Sequence, residues 1–321
     1  MNHMTKGQRA LNLFLMLAAA GLALVTLFTL AARLWWAFDL FSHFRLQYVV
    51  AALVLGFLAL SVRAHGSAAV LAAVAVVHGL AIKDLWLGGT ASAALGGVPL
   101  RVVSVNVLAQ NRTPEKVLEF VRAADADLVL LVDADKRDWR EVLDELRELY
   151  PHHAPQAPRA PALLFSRWPI VSDRLLLAPR SRRPYLVAEL AIEGQVLEFV
   201  GVHPSSPSPS EPHASSRRNR ELDHIAEVVQ GTDAPVIVAG DFNTTPWSPH
   251  FEDLLGAAGL RNAAEGKGYI PTWPTFFWPV RIPIDHVLLK GPVAATAVRR
   301  GPAVGSDHYP IIADLRLLSS P

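Results

Sequence analysis

Residues 235–251 read PVIVAGDFNTTPWSPHF. Five apolar residues, Pro235 to Ala239, run into Gly240 and then deliver an acid, an aromatic and an amide. A plain turn after a buried strand needs no such trio. Strand alternation sends Asp241 and Asn243 to one side and Phe242 to the other. The stretch reads as a strand over 235–239 that ends by presenting two polar groups together. Phe242 turns into a core, and a helix follows over 248–258.

The arrangement recurs along the chain. Asn106 follows Val-Ser-Val, Asp133 follows Leu-Leu-Val, and His203 follows Val-Gly-Val. Two further clusters, IDHV at 284–287 and GSDHYP at 305–310, contribute Asp285, Asp307 and His308. A single strand-end Asp is most often a turn former or helix cap. Acids, amides and imidazoles at this many strand ends point instead to a site that a sheet gathers from distant parts of the chain. Carboxylates and amides without thiols are hard oxygen donors, suited to Mg²⁺ or Mn²⁺ rather than zinc. Such an ion suits phosphoryl oxygens, because it neutralises charge on phosphorus and stabilises a leaving oxygen. Histidines hold the phosphate or protonate the leaving group. The inventory points to metal-assisted hydrolysis of a phosphate ester.

Five motifs, SVNV (104–107), GVHP (201–204), GDFN (240–243), IDHV (284–287) and SDHYP (306–310), carry a resemblance. Together, and in this order, they resemble the endonuclease/exonuclease/phosphatase superfamily over about 98–318. PTWP (271–274) and RRNRE (217–221) are similar to its membrane-anchored bacterial branch. The resemblance implies a four-layer α/β sandwich, two packed mixed β-sheets flanked by helices, in the deoxyribonuclease-I-like fold. It implies Asn106, Asp133 and Asp307 around the metal, and Asp241 orienting or deprotonating the attacking water. Asn243 would hold that water or the phosphate. His308, paired with Asp285, would stabilise the pentacovalent phosphorus or shuttle a proton, and His203 would bind the phosphate or assist the leaving group. Asp133 departs from the family's usual Glu; it is one methylene shorter but keeps both oxygens, and Asp135 is the nearest substitute. Arg218 is a candidate substrate-phosphate ligand or part of a solvated helix face.

The residues alone support an α/β arrangement. Strands are expected over 100–108, 127–132, 162–166, 170–177, 185–192, 195–202, 284–289 and 310–317, and helices over 113–124, 136–150 and 214–230. Glu193-Gly194 marks a hairpin, and residues 204–212 form a Pro/Ser-rich loop. His286 should point away from Asp285, since strand neighbours face opposite sides. Arg180, Arg182 and Arg183 read as a loop beside the site or a membrane-facing patch. Trp247, Trp273 and Trp278 read as packing under loops, and His152-His153 as surface residues.

Composition divides the chain. Hydrophobic residues make up 51% and the mean hydropathy is +0.26, an excess concentrated before residue 88. Apolar runs at 10–32, 46–62 and 67–82 suggest about three transmembrane helices within a membrane segment at 1–87. A Gly-rich tether at 88–97 then leads to the catalytic domain at 98–321. With Lys6 and Arg9 inside, three crossings put that domain outside the cytoplasm, on a bacterial inner membrane; two crossings reverse its side. Three spans free of internal charge offer no transport pathway.

Six of the 30 Lys and Arg and two of the 29 Asp and Glu precede Val98, leaving 24 basic against 27 acidic residues, a net −3. That lacks the basic footprint of a non-specific nucleic-acid binder. The absence of cysteine removes disulfides, thiolate metal sites and a Cys nucleophile. The expected partners are a phosphate-ester substrate and a lipid bilayer, with nucleic acid disfavoured by charge. The alternatives are a nuclease and a non-enzymatic membrane-bound protein that binds phosphate ligands in the same pocket.

Overall fold

The computed structural model describes residues 5–88, 96–134, 139–155, 162–207 and 212–318. Most of the expected tether, Asp135 and part of the Pro/Ser-rich loop lie outside these residues. The chain divides into two compact units, Met1–Asp84 with Trp247–Pro249, and Leu85–Pro246 with His250–Pro321.

In the first unit the apolar runs form α1 (Lys6–Leu30), α3 (Arg45–Ser61) and α4 (His65–Ala81), with an unanticipated short helix α2 (Trp36–Ser42) before α3. Thr5 and Gln8 close a reciprocal capping box at the start of α1. Leu15 and Ala19 of α1 meet Ala52 and Ala59 of α3 and Leu71 of α4. Small residues at these contacts let the backbones approach closely. Only α1, at 25 residues, is by itself long and apolar enough to cross a membrane among the described helices. Helices α2 and α3 pass that test together, bent by 61°, while α4 has 17 residues. Of the three expected crossings, one is met by a single helix of sufficient length, and a second only if the bent α2–α3 pair counts as one span.

The second unit begins with β1 (Val98–Asn106), α5 (Pro114–Ala124), β2 (Leu128–Val132), α6 (Arg140–Leu149), β3 (His152–Ala154), β4 (Ala162–Ser166) and β5 (Ile170–Leu176). It continues with β6 (Tyr185–Ile192), β7 (Gln195–Val202), α7 (Pro212–Gln230), β8 (Val236–Asp241) and α8 (Pro249–Ala258). It ends with β9 (Arg261–Asn262), β10 (Asp285–Lys290), β11 (Val293–Arg300) and β12 (Ile311–Leu317). The strands form two six-stranded sheets, in the orders β11-β12-β1-β2-β4-β3 and β5-β6-β7-β8-β10-β9. Each has one parallel pair, β1 with β2 and β7 with β8, and antiparallel neighbours otherwise. The parallel pairs are the ones crossed over by helices, as parallel pairing requires.

Strand parity fixes the layers. Leu100 and Val102 of β1, Leu128 and Leu130 of β2, Phe199 of β7 and Ile237 and Ala239 of β8 share one core between the sheets. Val103 and Val105 face outward and pack with Val117 and Val121 of α5 and Leu146 of α6. On the other sheet Val200 and Val238 pack outward with Leu222 and Ile225 of α7 and Phe251 of α8. Two sheets with a helical layer on each outer side make the four-layer sandwich.

Several boundaries differ from expectation. Strand β8 does not stop at Gly240 but runs on through Asp241, because Asp241 and Gly240 stay in register with Asp285 and His286 of β10. His152 and His153, read as surface residues, are half-buried on the edge strand β3, which was not anticipated. Strands β9 and β11 went unread; β11, VAATAVRR, is too rich in alanine to show a strand signature. Trp278 is 75% exposed, not packed beneath a loop.

Gly240 lies at φ +145°, and a Cβ there would come within 1.9 Å of the Val202 carbonyl oxygen on β7. That backbone atom is fixed by the parallel ladder, so it has nowhere to move. Gly194, in the β6–β7 hairpin, also has positive φ (+79°) but open space around a Cβ. Chemical denaturation should therefore find Gly194→Ala less stable by about 1 kcal/mol, and Gly240→Ala by about 3 kcal/mol or more, or unable to fold. Equal losses at the two positions would contradict the close approach.

Candidate active site

The parity that builds the inter-sheet core also places the polar groups. Asn106 continues the inward series of Leu100 and Val102, His203 that of Leu197 and Phe199, and Asp241 that of Ile237 and Ala239. Asp285 precedes the inward Val287 and Leu289. At the strand ends the core changes from hydrocarbon to polar side chains, all on the face between the sheets. Asp133 follows the inward Val132 and would point outward by alternation. Its backbone enters the left-handed region (φ +64°), and its carboxylate reaches His203 instead. Asn243 also has positive φ (+52°). Asn and Asp occupy that region more readily than other non-glycine residues.

One network joins most of the set. Asp133 Oδ1 lies 3.2 Å from His203 Nδ1, and His203 Nε2 lies 3.5 Å from Asp241 Oδ2. Asn106 Nδ2 donates to Asp241 Oδ2 at 2.9 Å, and the Asn243 backbone N–H donates to Asp241 Oδ1 at 2.8 Å. His308 Nδ1 pairs with Asp285 Oδ2 at 2.8 Å and turns its Nε2 toward Asp241 Oδ2 at 3.7 Å. Asp241, Asp285, His203 and His308 are buried, whereas the Asp133 side chain is 34% exposed at the mouth. Asp307 is half-buried and stands apart from this network: its Oδ2 accepts from Trp273 Nε1 at 3.0 Å.

Supporting contacts hold the loops. Ser306 Oγ donates to the Asn106 carbonyl at 2.7 Å and accepts from the His308 N–H at 3.0 Å. Thr272 Oγ accepts from the N–H groups of Ile284 and Asp285, both at 3.3 Å. Asn243 Nδ2 donates to the Pro204 carbonyl at 3.0 Å. Arg218 is fully buried, and its Nη1 donates to the Asn243 carbonyl at 3.1 Å. Its burial excludes the solvated helix face, and its guanidinium braces the GDFN loop through Asn243. His286 points away from the site, as expected. Its Nε2 lies 3.0 Å from the Thr244 carbonyl oxygen and its ring packs on Phe242 and Phe251.

Burial sets the electrostatics. It pushes the Asp241 pKa up, against the pull of His308 and with the push of Asp285. For His308 burial alone would depress the imidazolium, but the Asp285 and Asp241 carboxylates outweigh it and raise the group to about 10. Burial also opposes charge on Asp133, yet the His203 hydrogen bond and the His203 and Arg183 charges bring it below its ordinary value. Burial holds His286 down at about 4, so it is neutral.

The donor set suits a divalent cation. Four carboxylates, Asp133, Asp241, Asp285 and Asp307, face fewer positive groups, and Asp285 Oδ1 is buried without a hydrogen-bond partner. Among the described residues Asp241, Asp285 and His308 bring ligand atoms within 4.8 Å of one another. Both ring nitrogens of His308 face these two carboxylates. Carboxylate and amide oxygens are the donors that a hard divalent ion takes.

A family model described as the endonuclease/exonuclease/phosphatase family matches residues 103–308, more than half of the chain. The chain belongs to the endonuclease/exonuclease/phosphatase family. It is a hydrolase acting on phosphate ester bonds. Among solved structures, truncated Caenorhabditis elegans TDP2 superposes with a TM-score of 0.58 at 18% identity, covering 70% of this chain and 100% of that one. A Beutenbergia cavernae endonuclease/exonuclease/phosphatase gives 0.57 at 20% identity, covering 70% and 72%. A Staphylococcus aureus beta toxin mutant with bound magnesium ions gives 0.58 at 17% identity, covering 68% and 99%. At these identities the likeness is one of fold. None of the curated proteins compared with the chain matches it.

Of Arg180, Arg182 and Arg183, read as a loop beside the site or a membrane-facing patch, Arg183 does lie beside the site, with its Nη1 3.2 Å from His203 Nδ1. The pattern Arg-Ser-Arg-Arg at 180–183 does not show which of its guanidiniums turns inward. Trp273 and Thr272 were likewise unreadable as supports of Asp307 and Asp285.

The raised His308 pKa makes stability depend on pH. Relative to an unfolded value of 6.5, the folded value of about 10 means that the charged pairing stabilises fully below pH 6.5. The contribution falls between pH 6.5 and about 10 and vanishes above. Thermal unfolding of the full chain in detergent and EDTA should show a gap between wild type and His308→Gln that narrows across this window. A gap independent of pH would refute the charged pairing.

Proposed function

We propose that the chain is a membrane-anchored, divalent-metal-dependent phosphoesterase that hydrolyses a phosphodiester or phosphomonoester by direct attack of water. The observation that carries this reading is the convergence of Asp241, His203, Asp285 and His308 at the polar end of the inter-sheet core. The anchor rests on α1, which has the length and hydropathy of a span. On this reading the domain boundary falls at the tether, and the chain sits in a bacterial inner membrane with its catalytic domain outside the cytoplasm.

Asn106, Asp133 and Asp307 would hold Mg²⁺ or Mn²⁺, which when bound supplies charge neutralisation at the phosphoryl oxygens. Asp241 accepts the proton of the attacking water; burial has raised its basicity, and the Asn106 amide and Asn243 N–H fix its carboxylate. The water oxygen bonds to phosphorus as the ester P–O bond breaks. His308 keeps its proton, held by Asp285, and faces the charge that builds on the pentacovalent phosphorus. His203, at the exposed Asp133 side, gives a proton to the leaving oxygen. Asn243 steadies the water or phosphate, and Arg218 positions Asn243 through its carbonyl.

The competing reading, a phosphate-ligand-binding protein without turnover, makes an opposite forecast for one substitution. With bis(4-nitrophenyl) phosphate and Mg²⁺, Asp241→Asn should lower turnover by at least ~10²-fold while leaving competitive binding of inorganic phosphate within about two-fold of wild type. EDTA should abolish turnover, and added Mg²⁺ or Mn²⁺ should restore it. Wild-type protein inert on every phosphate ester, with either metal, would sink the enzymatic reading.

A further inference from the structure

Next to the site the chain exposes three consecutive aromatic side chains. Phe276 is 79% exposed, Phe277 51% and Trp278 75%. Contiguous exposed aromatics mark interaction sites rather than ordinary surface. Here they are held out by a braced segment. The Trp273 indole donates to Asp307 Oδ2, the Thr275 N–H to the Asp307 carbonyl at 2.9 Å, and Thr275 Oγ1 to the Ser306 carbonyl at 3.0 Å. From the other side Arg281 donates through Nε to the Pro274 carbonyl at 2.9 Å and through Nη2 to the Thr275 carbonyl at 2.5 Å. The ridge thus begins one residue after a contact to Asp307, on the β9–β10 loop, which is braced against the β11–β12 loop that carries His308.

Arg281, three residues beyond the ridge, and Arg300, bonded to the Pro271 carbonyl at 3.5 Å, bring positive charge to the same loop. The guanidiniums of Arg281 and Arg300 lie 4.9 and 4.2 Å from the centre of the Tyr309 ring, and Arg300 is exposed. Aromatics backed by arginine suit the headgroup region of an anionic bilayer, where Trp and Phe bury their rings and Arg meets lipid phosphate. A bilayer is also near at hand on the proposed anchoring.

We propose that Phe276, Phe277 and Trp278 insert into the interface of an anionic bilayer and seat the mouth of the site on it, so that the substrate is a lipid headgroup phosphate ester. The docking stands on the ridge itself, and the substrate class rests on the phosphoesterase reading above. The chemistry is the same cleavage: water adds to phosphorus, and the ester bond breaks to leave a phosphate and an alcohol.

The chain has no cysteine, so one Phe277→Cys substitution in the full chain takes a single environment-sensitive fluorophore. Glu148→Cys, on the exposed face of α6, is the control. In nanodiscs of phosphatidylglycerol and phosphatidylcholine carrying doxyl lipid, the label at 277 should be quenched at least three-fold more than the label at 148. Its emission should shift to the blue. The triple variant Phe276→Ser, Phe277→Ser, Trp278→Ser should lose at least ten-fold turnover on phosphatidylglycerol in the same discs. It should stay within two-fold of wild type on soluble bis(4-nitrophenyl) phosphate. Equal quenching at the two sites overturns the docking. A triple variant as active on the lipid as wild type, or one that loses both substrates equally, overturns the link between ridge and substrate. Wild-type protein that turns over neither substrate defeats the phosphoesterase reading, while the quenching still decides the docking.

Discussion

Asp241 and Asp285 face each other across an antiparallel ladder, buried and on the same side of the sheet. Two carboxylates so placed repel and lack water to screen them. The structure offsets this with His308, whose Nδ1 is bonded to one and whose Nε2 is turned to the other. The remaining geometry follows from keeping that imidazolium in place. Ser306 fixes the His308 backbone, Thr272 fixes that of Asp285, and the Asn243 N–H and Asn106 amide fill the lone pairs of Asp241. The burial that burdens folding, joined by the repulsion of Asp285, raises the basicity of Asp241, which is the property a water-activating group needs.

The site lies where it does because a two-sheet sandwich has one continuous interior. Inward positions are hydrocarbon along the strands and become polar only where the ladders end. There the parallel pairs β1–β2 and β7–β8 release Asn106, Asp133 and His203, while β8 and β10 stay paired to the last residue. The Gly240 conformation allows this: it lets β8 pass closely beside Val202 and carry Asp241 to the edge.

Period-two patterns made this legible. β6, β7 and the inward series ending at Asp241 were readable because alternation and a hairpin signal coincide, and GDFN and SDHYP fall at those ends. The family followed from the order of the motifs. β11 was not readable, since its alanines pack on β12 without a distinctive pattern. The partners of Arg183 and Trp273 were missed for a different reason. Each meets its partner, His203 or Asp307, only after two loops have folded against one another, and nothing local encodes that meeting. Arg218 shows the converse error: an arginine-rich helix start looks solvated, yet one guanidinium is wholly internal.

Ser306 bonds to Asn106 across 200 positions of sequence, and β1 lies between β2 and β12, the last strand of the chain. During synthesis, therefore, no partial product contains the site. The first sheet stays open on one side of β1 until residues 311–317 leave the ribosome, by which time α1 has long since emerged. The order of events is built into the connectivity: β1, among the first strands to form, waits for β12 to cover its far side, and the site waits with it.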